Sequence, residues 1–204
     1  PSNPHARVST ADLKEKGYNV LATGEMGIGN TTTSSAVCSV LLDQSVEKVT
    51  GKGAGLTNKD LEHKIEVIRQ SIALNKVNAD DPLDILAKVG GLDIAGMAGC
   101  YIGGAALNIP VFIDGFISSV AALIAIRLVP ECAPYLFPSH CSNEPAGRMI
   151  LDAIGKQPYI FANMCLGEGT GAVMGFTIAD YAFKAYWELP SFEQTNFGTY
   201  EELN

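Results

Sequence analysis

Positive charge is scarce in this sequence: 14 Lys and Arg stand against 22 Asp and Glu over 204 residues, for a net charge of −8 at pH 7. Long-range electrostatics therefore repel nucleic acid and anionic lipid, and no Lys/Arg cluster offers a local exception. A phosphorylated ligand has to be held locally, by backbone amides or a few placed side chains. The five cysteines, Cys38, Cys100, Cys132, Cys141 and Cys165, form no CxxC pair, which suits reduced thiols in a cytoplasmic protein. His140 and Cys141 with Cys132 match no zinc spacing, so no metal is expected. A G-x-S-x-G elbow is missing around Ser139 and His140, which weighs against a hydrolase. Asn108, Pro110 and Asp114 cut the apolar stretch from Ile94 to Val129 into pieces of about fourteen residues, too short to span a bilayer. An initiating Met and a basic leader are missing too, so the sequence reads as opening inside a longer protein.

What is present suits one well-filled domain over residues 1–188, followed by a polar tail over 189–204. The composition is 47% hydrophobic and 18% charged, with 21 glycines. Short apolar strands are expected at Tyr18–Thr23, Pro110–Ile113, Tyr135–Phe137 and Tyr159–Ala162. Helical spacing covers Thr32–Leu42, Asn58–Asn75, Pro82–Val89, Asp93–Leu107, Gly115–Leu128, Asn143–Ile154 and Ala172–Trp187. Strand and helix alternate, so the expected fold is α/β, a Rossmann-like parallel sheet with helices on both faces. Ligands of such sheets bind at the carboxyl ends of the strands.

The richest segment for chemistry is Gly24-Glu25-Met26-Gly27-Ile28-Gly29-Asn30-Thr31-Thr32-Thr33, between an expected strand and helix, where backbone amides and the helix dipole favour an anion. It has P-loop spacing except that Asn30 stands where the lysine belongs, which disfavours a triphosphate. G-x-G-x-x-T is a weak dinucleotide signal, and glycines that merely turn the chain explain part of the pattern. A monophosphate cradle through Gly27, Gly29, Asn30 and Thr31 fits better. In Leu166-Gly167-Glu168-Gly169-Thr170-Gly171 a carboxylate sits between glycines, just before an apolar helix. A carboxylate at the mouth of an apolar pocket holds a proton more readily once desolvated, which suits a general base; the plainer alternative is a solvated turn residue. Gly53 lies in a third Gly-rich turn, and Lys52 or Lys64 can bring charge to a phosphate, although Lys64 on a surface helix reads by itself as solvated. Asp114 ends a buried strand, where it can take ribose hydroxyls or cap the next helix.

These residues together resemble the nicotinate-nucleotide:dimethylbenzimidazole phosphoribosyltransferases of cobalamin lower-ligand synthesis. The match is carried by the Gly24–Thr32 loop and the Leu166–Ala172 turn. Between them come Val89-Gly90-Gly91 with Asp93-Ile94-Ala95-Gly96, then Pro110–Phe116, then Ser139-His140 with Ser142, in the family's order. The resemblance implies that Glu168 deprotonates the benzimidazole nitrogen while Glu25 and Lys64 assist, and that Asp114, Gly115 and Ser142 surround ribose and phosphate. Met26 and Leu166 are expected as apolar walls of the base pocket. It implies nicotinate mononucleotide and a benzimidazole-type base as partners, no cofactor, and a homodimer. Two departures stand out: Cys165 replaces a residue that is often basic, and family members carry an N-terminal portion absent here. The latter keeps a noncatalytic nucleotide-binding domain open as the rival expectation.

Overall fold

The computed structural model describes residues 10–53 and 55–195. In chain order these form α1 (Thr10–Glu15), β1 (Leu21–Ala22), α2 (Asn30–Leu42), α3 (Val46–Val49), α4 (Asn58–Asn75), α5 (Pro82–Val89) and α6 (Leu92–Ala106). There follow β2 (Val111–Ile113), α7 (Phe116–Leu128), a 3-10 turn over Pro130–Tyr135, β3 (Leu136–Pro138), α8 (Gly147–Ile154), α9 (Thr170–Glu188) and α10 (Phe192–Thr195). The strands pair in the order β1-β2-β3, all parallel, with Leu21 opposite Val111 and Val111 opposite Leu136.

Alternation along β2 assigns the two faces of this sheet. Phe112 points toward α9, where Phe176 meets its ring edge-on with centroids 4.9 Å apart. Val111 points the other way, onto α6, so closely that a Cβ on Gly104 would come within 2.5 Å of it. Helices therefore cover both faces. The core gathers around α7, in which Phe116 through Ala125 are all buried because neighbours surround it on every side. Local signals set several boundaries. Thr57 caps α4 by accepting the N–H of Asp60 at 3.2 Å. Asp81 caps α5 through the N–H of Leu83 at 2.9 Å, with Pro82 at the first helical position.

Some expectations change. The strand at Tyr18–Thr23 shrinks to two residues, and Asn143–Ile154 becomes helical only from Gly147. The expected strand at Tyr159–Ala162 is reduced to one parallel bridge between His140 and Ile160. Tyr159 and Phe161 are exposed there. With no neighbouring element burying these rings, the segment gains nothing from extending the ladder. Of the tail, residues 189–195 include the short α10, and 196–204 lie outside the described residues.

Candidate active site

A cleft of about 470 Å³ opens where all three strands end, the position that a parallel sheet offers a ligand. Residues 25–28 after β1, residues 114–118 after β2, and His140, Ser142 and Glu144 after β3 line it, joined by Cys165–Glu168 ahead of α9 and by Thr31 and Gly53. Ten of the thirteen expected site residues thus meet in one place: Glu25, Met26, Gly27, Thr31, Gly53, Asp114, Gly115, Ser142, Leu166 and Glu168.

The two loops bearing the carboxylates are zipped together. Glu168 donates its backbone N–H to the carbonyl of Glu25 at 2.9 Å. Gly24 lies so close to the second loop that a Cβ on it would fall 2.3 Å from the nitrogen of Gly169. Glu168 has φ +60°, between Gly167 at +76° and Gly169 at +83°. For a residue with a Cβ that conformation costs roughly 1–2 kcal/mol, and such strain gathers where the surrounding structure holds a functional group in place. The Glu168 side chain itself is exposed, with Met26 59% and Leu166 66% exposed beside it. The apolar enclosure expected around the carboxylate is thus not formed by the described residues.

Beneath the loops, Lys64 departs from its solvated expectation: it is 7% exposed, and its Nζ donates to Thr31 Oγ1 and to the Gly51 carbonyl, both at 3.0 Å. Burial lowers its pKa, offset in part by the nearby Glu144 carboxylate. Burial conversely raises the pKa of Glu144, and Lys64 opposes that rise. Gly51 makes room for this arrangement, because a Cβ there would stand 1.9 Å from Glu144 Oε2. Lys64 does not itself line the cleft, but through Thr31 it puts a cation at the start of α2, where the N-cap Gly29 supplies no side-chain acceptor.

Three expected roles shift. Asn30 turns away from the cleft and donates to Asp93 Oδ2 at 2.8 Å, tying α2 to the first turn of α6. Gly29 shapes the turn with φ +83° without lining the cleft. Asp114 lines the cleft, yet its oxygens accept the N–H groups of Gly169, Gly171 and Ala172 at 3.0, 2.8 and 3.2 Å. It therefore caps the start of α9 rather than its own following helix. Sequence reasoning missed Glu144 and the place of His140. As part of an expected helix, Glu144 looks like any solvated acid, and only the packing of Gly51 and Lys64 gives it another meaning. His140 is 2% exposed, and burial lowers its pKa while Asp114 raises it. Among the described residues no group of three or more His, Cys, Asp or Glu is placed to hold a metal ion, and no helix is long and apolar enough to cross a membrane.

Comparison with known proteins shows the family and the fold to which this site belongs. The chain is 53% identical over 191 residues to the nicotinate-nucleotide–dimethylbenzimidazole phosphoribosyltransferase of Ruminiclostridium cellulolyticum, covering 94% of this chain and 54% of that protein. It is 49% identical to the protein of the same name from Acetivibrio thermocellus, again over 54% of the relative. The crystal structure of CobT from Thermus thermophilus superposes with a TM-score of 0.86 at 32% identity, over 93% of this chain and 56% of that one. The chain spans about half the length of the curated relatives it matches. The family model described as Phosphoribosyltransferase matches residues 6–197, and with these identities the chain belongs to that phosphoribosyltransferase family.

Proposed function

We propose that this chain is the part of a phosphoribosyltransferase that moves the 5-phosphoribosyl group from nicotinate mononucleotide to 5,6-dimethylbenzimidazole, giving nicotinate and α-ribazole 5'-phosphate. The observation that carries the reading is the convergence of Glu25 and Glu168, on two hydrogen-bonded loops, over one cleft with a buried lysine and Thr31 below. The phosphate is taken at the start of α2, by loop amides, Thr31, Gly53 and Ser142, with Lys64 supplying the nearby positive charge. Nicotinate leaves from a cationic pyridinium, so the bond from its ring nitrogen to the anomeric carbon breaks with the electron pair returning to the ring. A benzimidazole nitrogen attacks that carbon from the opposite side, which inverts it, and the proton of the other nitrogen passes to Glu168. Met26 and Leu166 present apolar surface to the incoming base, and Glu25 faces the same space.

Dimerisation and a cytoplasmic setting belong to the same proposal, as does the division into a catalytic body over 1–188 and a tail. The openness of the cleft favours one other reading, a nucleotide-binding domain without turnover, since Glu168, Met26 and Leu166 all stand in solvent. The two are separated by supplying nicotinate mononucleotide with and without dimethylbenzimidazole to the chain extended to the length of its relatives, and measuring released nicotinate. Release that requires the base supports transfer; binding without release leaves the domain reading. Glu168→Gln in that chain is expected to bind the nucleotide normally and to lose about a hundred- to ten-thousandfold in turnover, the usual worth of a general base.

A further inference from the structure

Asp114 is 2% exposed, whereas Glu168, the residue before the Gly169 whose N–H it accepts, stands in solvent. The buried carboxylate is matched to three backbone donors, with Gly169 N–H on Oδ2 and those of Gly171 and Ala172 on Oδ1. These donors are the opening amides of α9, whose N-cap residue Gly169 has no side chain to serve them. A carboxylate from the end of β2 thus performs an N-cap's task from more than fifty residues away in sequence, at the positive end of a 19-residue helix.

The consequence reaches Glu168. Three successive left-handed residues, Gly167, Glu168 and Gly169, are held only as long as their surroundings over-determine them. Fastenings lie on both sides of the glutamate: its own N–H on the Glu25 carbonyl, and the next N–H on Asp114 Oδ2. Thr170 closes the same turn locally, donating its N–H at 3.1 Å and its Oγ1 hydroxyl at 2.7 Å to the Gly167 carbonyl, so loss of the Asp114 bond leaves the turn closed but no longer fixed to the end of β2, and the Glu168 carboxylate shifts in the cleft. We propose that Asp114 is a positioning residue for Glu168, fixing the turn that aims the carboxylate into the cleft rather than touching substrate itself. The inference rests on the reading of Glu168 as the base.

Asp114→Asn separates this role from a merely structural one. The amide keeps an oxygen for Gly171 and Ala172 but sets an NH2 group against the N–H of Gly169, so the helix start is preserved and the turn is unfastened. In the chain extended to its relatives' length, kcat is expected to fall about a hundredfold, the cost of a misplacement near 1 Å, while the Kd for nicotinate mononucleotide by calorimetry moves less than about threefold. The double variant with Glu168→Gln should turn over no more slowly than Glu168→Gln alone, because both changes remove the same contribution. Losses that multiply, or an Asp114→Asn enzyme with the parent's kcat, overturn the positioning role. A Glu168→Gln enzyme at the parent rate instead overturns the reading of Glu168 as base. If Asp114→Asn does not fold, amide hydrogen exchange on the unsubstituted chain decides: the Gly169 N–H should be protected as strongly as that of Gly171, and exchange at an unprotected rate refutes the proposal.

Discussion

Replacing Gly24 with Ala adds one methyl group where the two carboxylate-bearing loops touch. The new Cβ would meet Gly169 N at 2.3 Å, Gly169 Cα at 2.5 Å and the Glu168 carbonyl carbon at 2.8 Å, all backbone atoms that no rotamer change can move aside. Ordinary contact begins at 3.4 Å, so the loops must part by about 1 Å. The φ of Gly24 lies outside the left-handed region, so the alanine itself is unstrained and the effect is purely one of spacing. Parting the loops by that amount takes the Glu168-to-Glu25 bond from 2.9 Å out of hydrogen-bonding range and stretches the Gly169-to-Asp114 bond from 3.0 Å. Losing one neutral bond and weakening one to a carboxylate costs about 2–4 kcal/mol. In a domain of this size that lowers the melting temperature by roughly 4–16 °C. Turnover should drop about a hundredfold, as a displacement near 1 Å does at a reacting centre. Circular-dichroism melting and nicotinate release are the assays, with Gly96→Ala as control. Gly96 lies in α6 with nothing within 4 Å of its missing Cβ, so alanine there should stabilise by about 0.5–1 kcal/mol. A Gly24→Ala protein that melts and turns over like its parent would show that the loops do not depend on this contact.

Lys64→Met should leave the Gly51 carbonyl and Thr31 without their charged partner and weaken nicotinate mononucleotide binding roughly ten- to a hundredfold, measured by calorimetry. An unchanged Kd would remove Lys64 from the phosphate site. His140 titrates below its ordinary 6.5 because burial disfavours the cation, so the unfolded chain takes up the proton first as pH falls. Its stability contribution is therefore intact above about pH 6.5 and declines below it toward the folded pKa, by at most about 1.4 kcal/mol per pH unit. Urea midpoints at pH 7 and 5.5 should differ less in His140→Gln than in the parent, and equal differences would refute the assignment. In the proposed transfer the pyridinium departs unaided, so EDTA should not alter turnover; a loss restored by magnesium or zinc would bring back a metal-dependent mechanism.

Much of the framework was legible from residue order alone. Hydrophobic spacing located α4 between Asn58 and Asn75 and α5 from Pro82 to Val89, because the residues that end these helices, Thr57, Asp81 and Gly90 among them, act on their immediate neighbours. Alternation of strand and helix gave the parallel sheet, and with it the end at which Glu25, Asp114 and Glu168 had to gather. Both motif-bearing loops were legible as well, since nothing about the packing of a Gly-rich turn calls for a carboxylate in its midst. What spacing cannot express is contact between segments far apart in the chain. Lys64 reads as a solvated helix residue until Gly51 and Thr31 are folded over it, and Glu144 reads as a surface acid until Gly51 admits it beside that lysine. Asp114 looked like a ligand or a local cap, and only tertiary structure turned it beneath a helix that begins more than fifty residues later. Asn30 kept its place at the head of α2, but Asp93 took its side chain. The expected strand at Tyr159–Ala162 failed for the same reason in reverse: its apolar residues promised burial, and the fold brought nothing to bury Tyr159 and Phe161. Local propensity acts through neighbours in sequence, whereas the aim of a charged side chain is decided by whichever donors the fold brings to it.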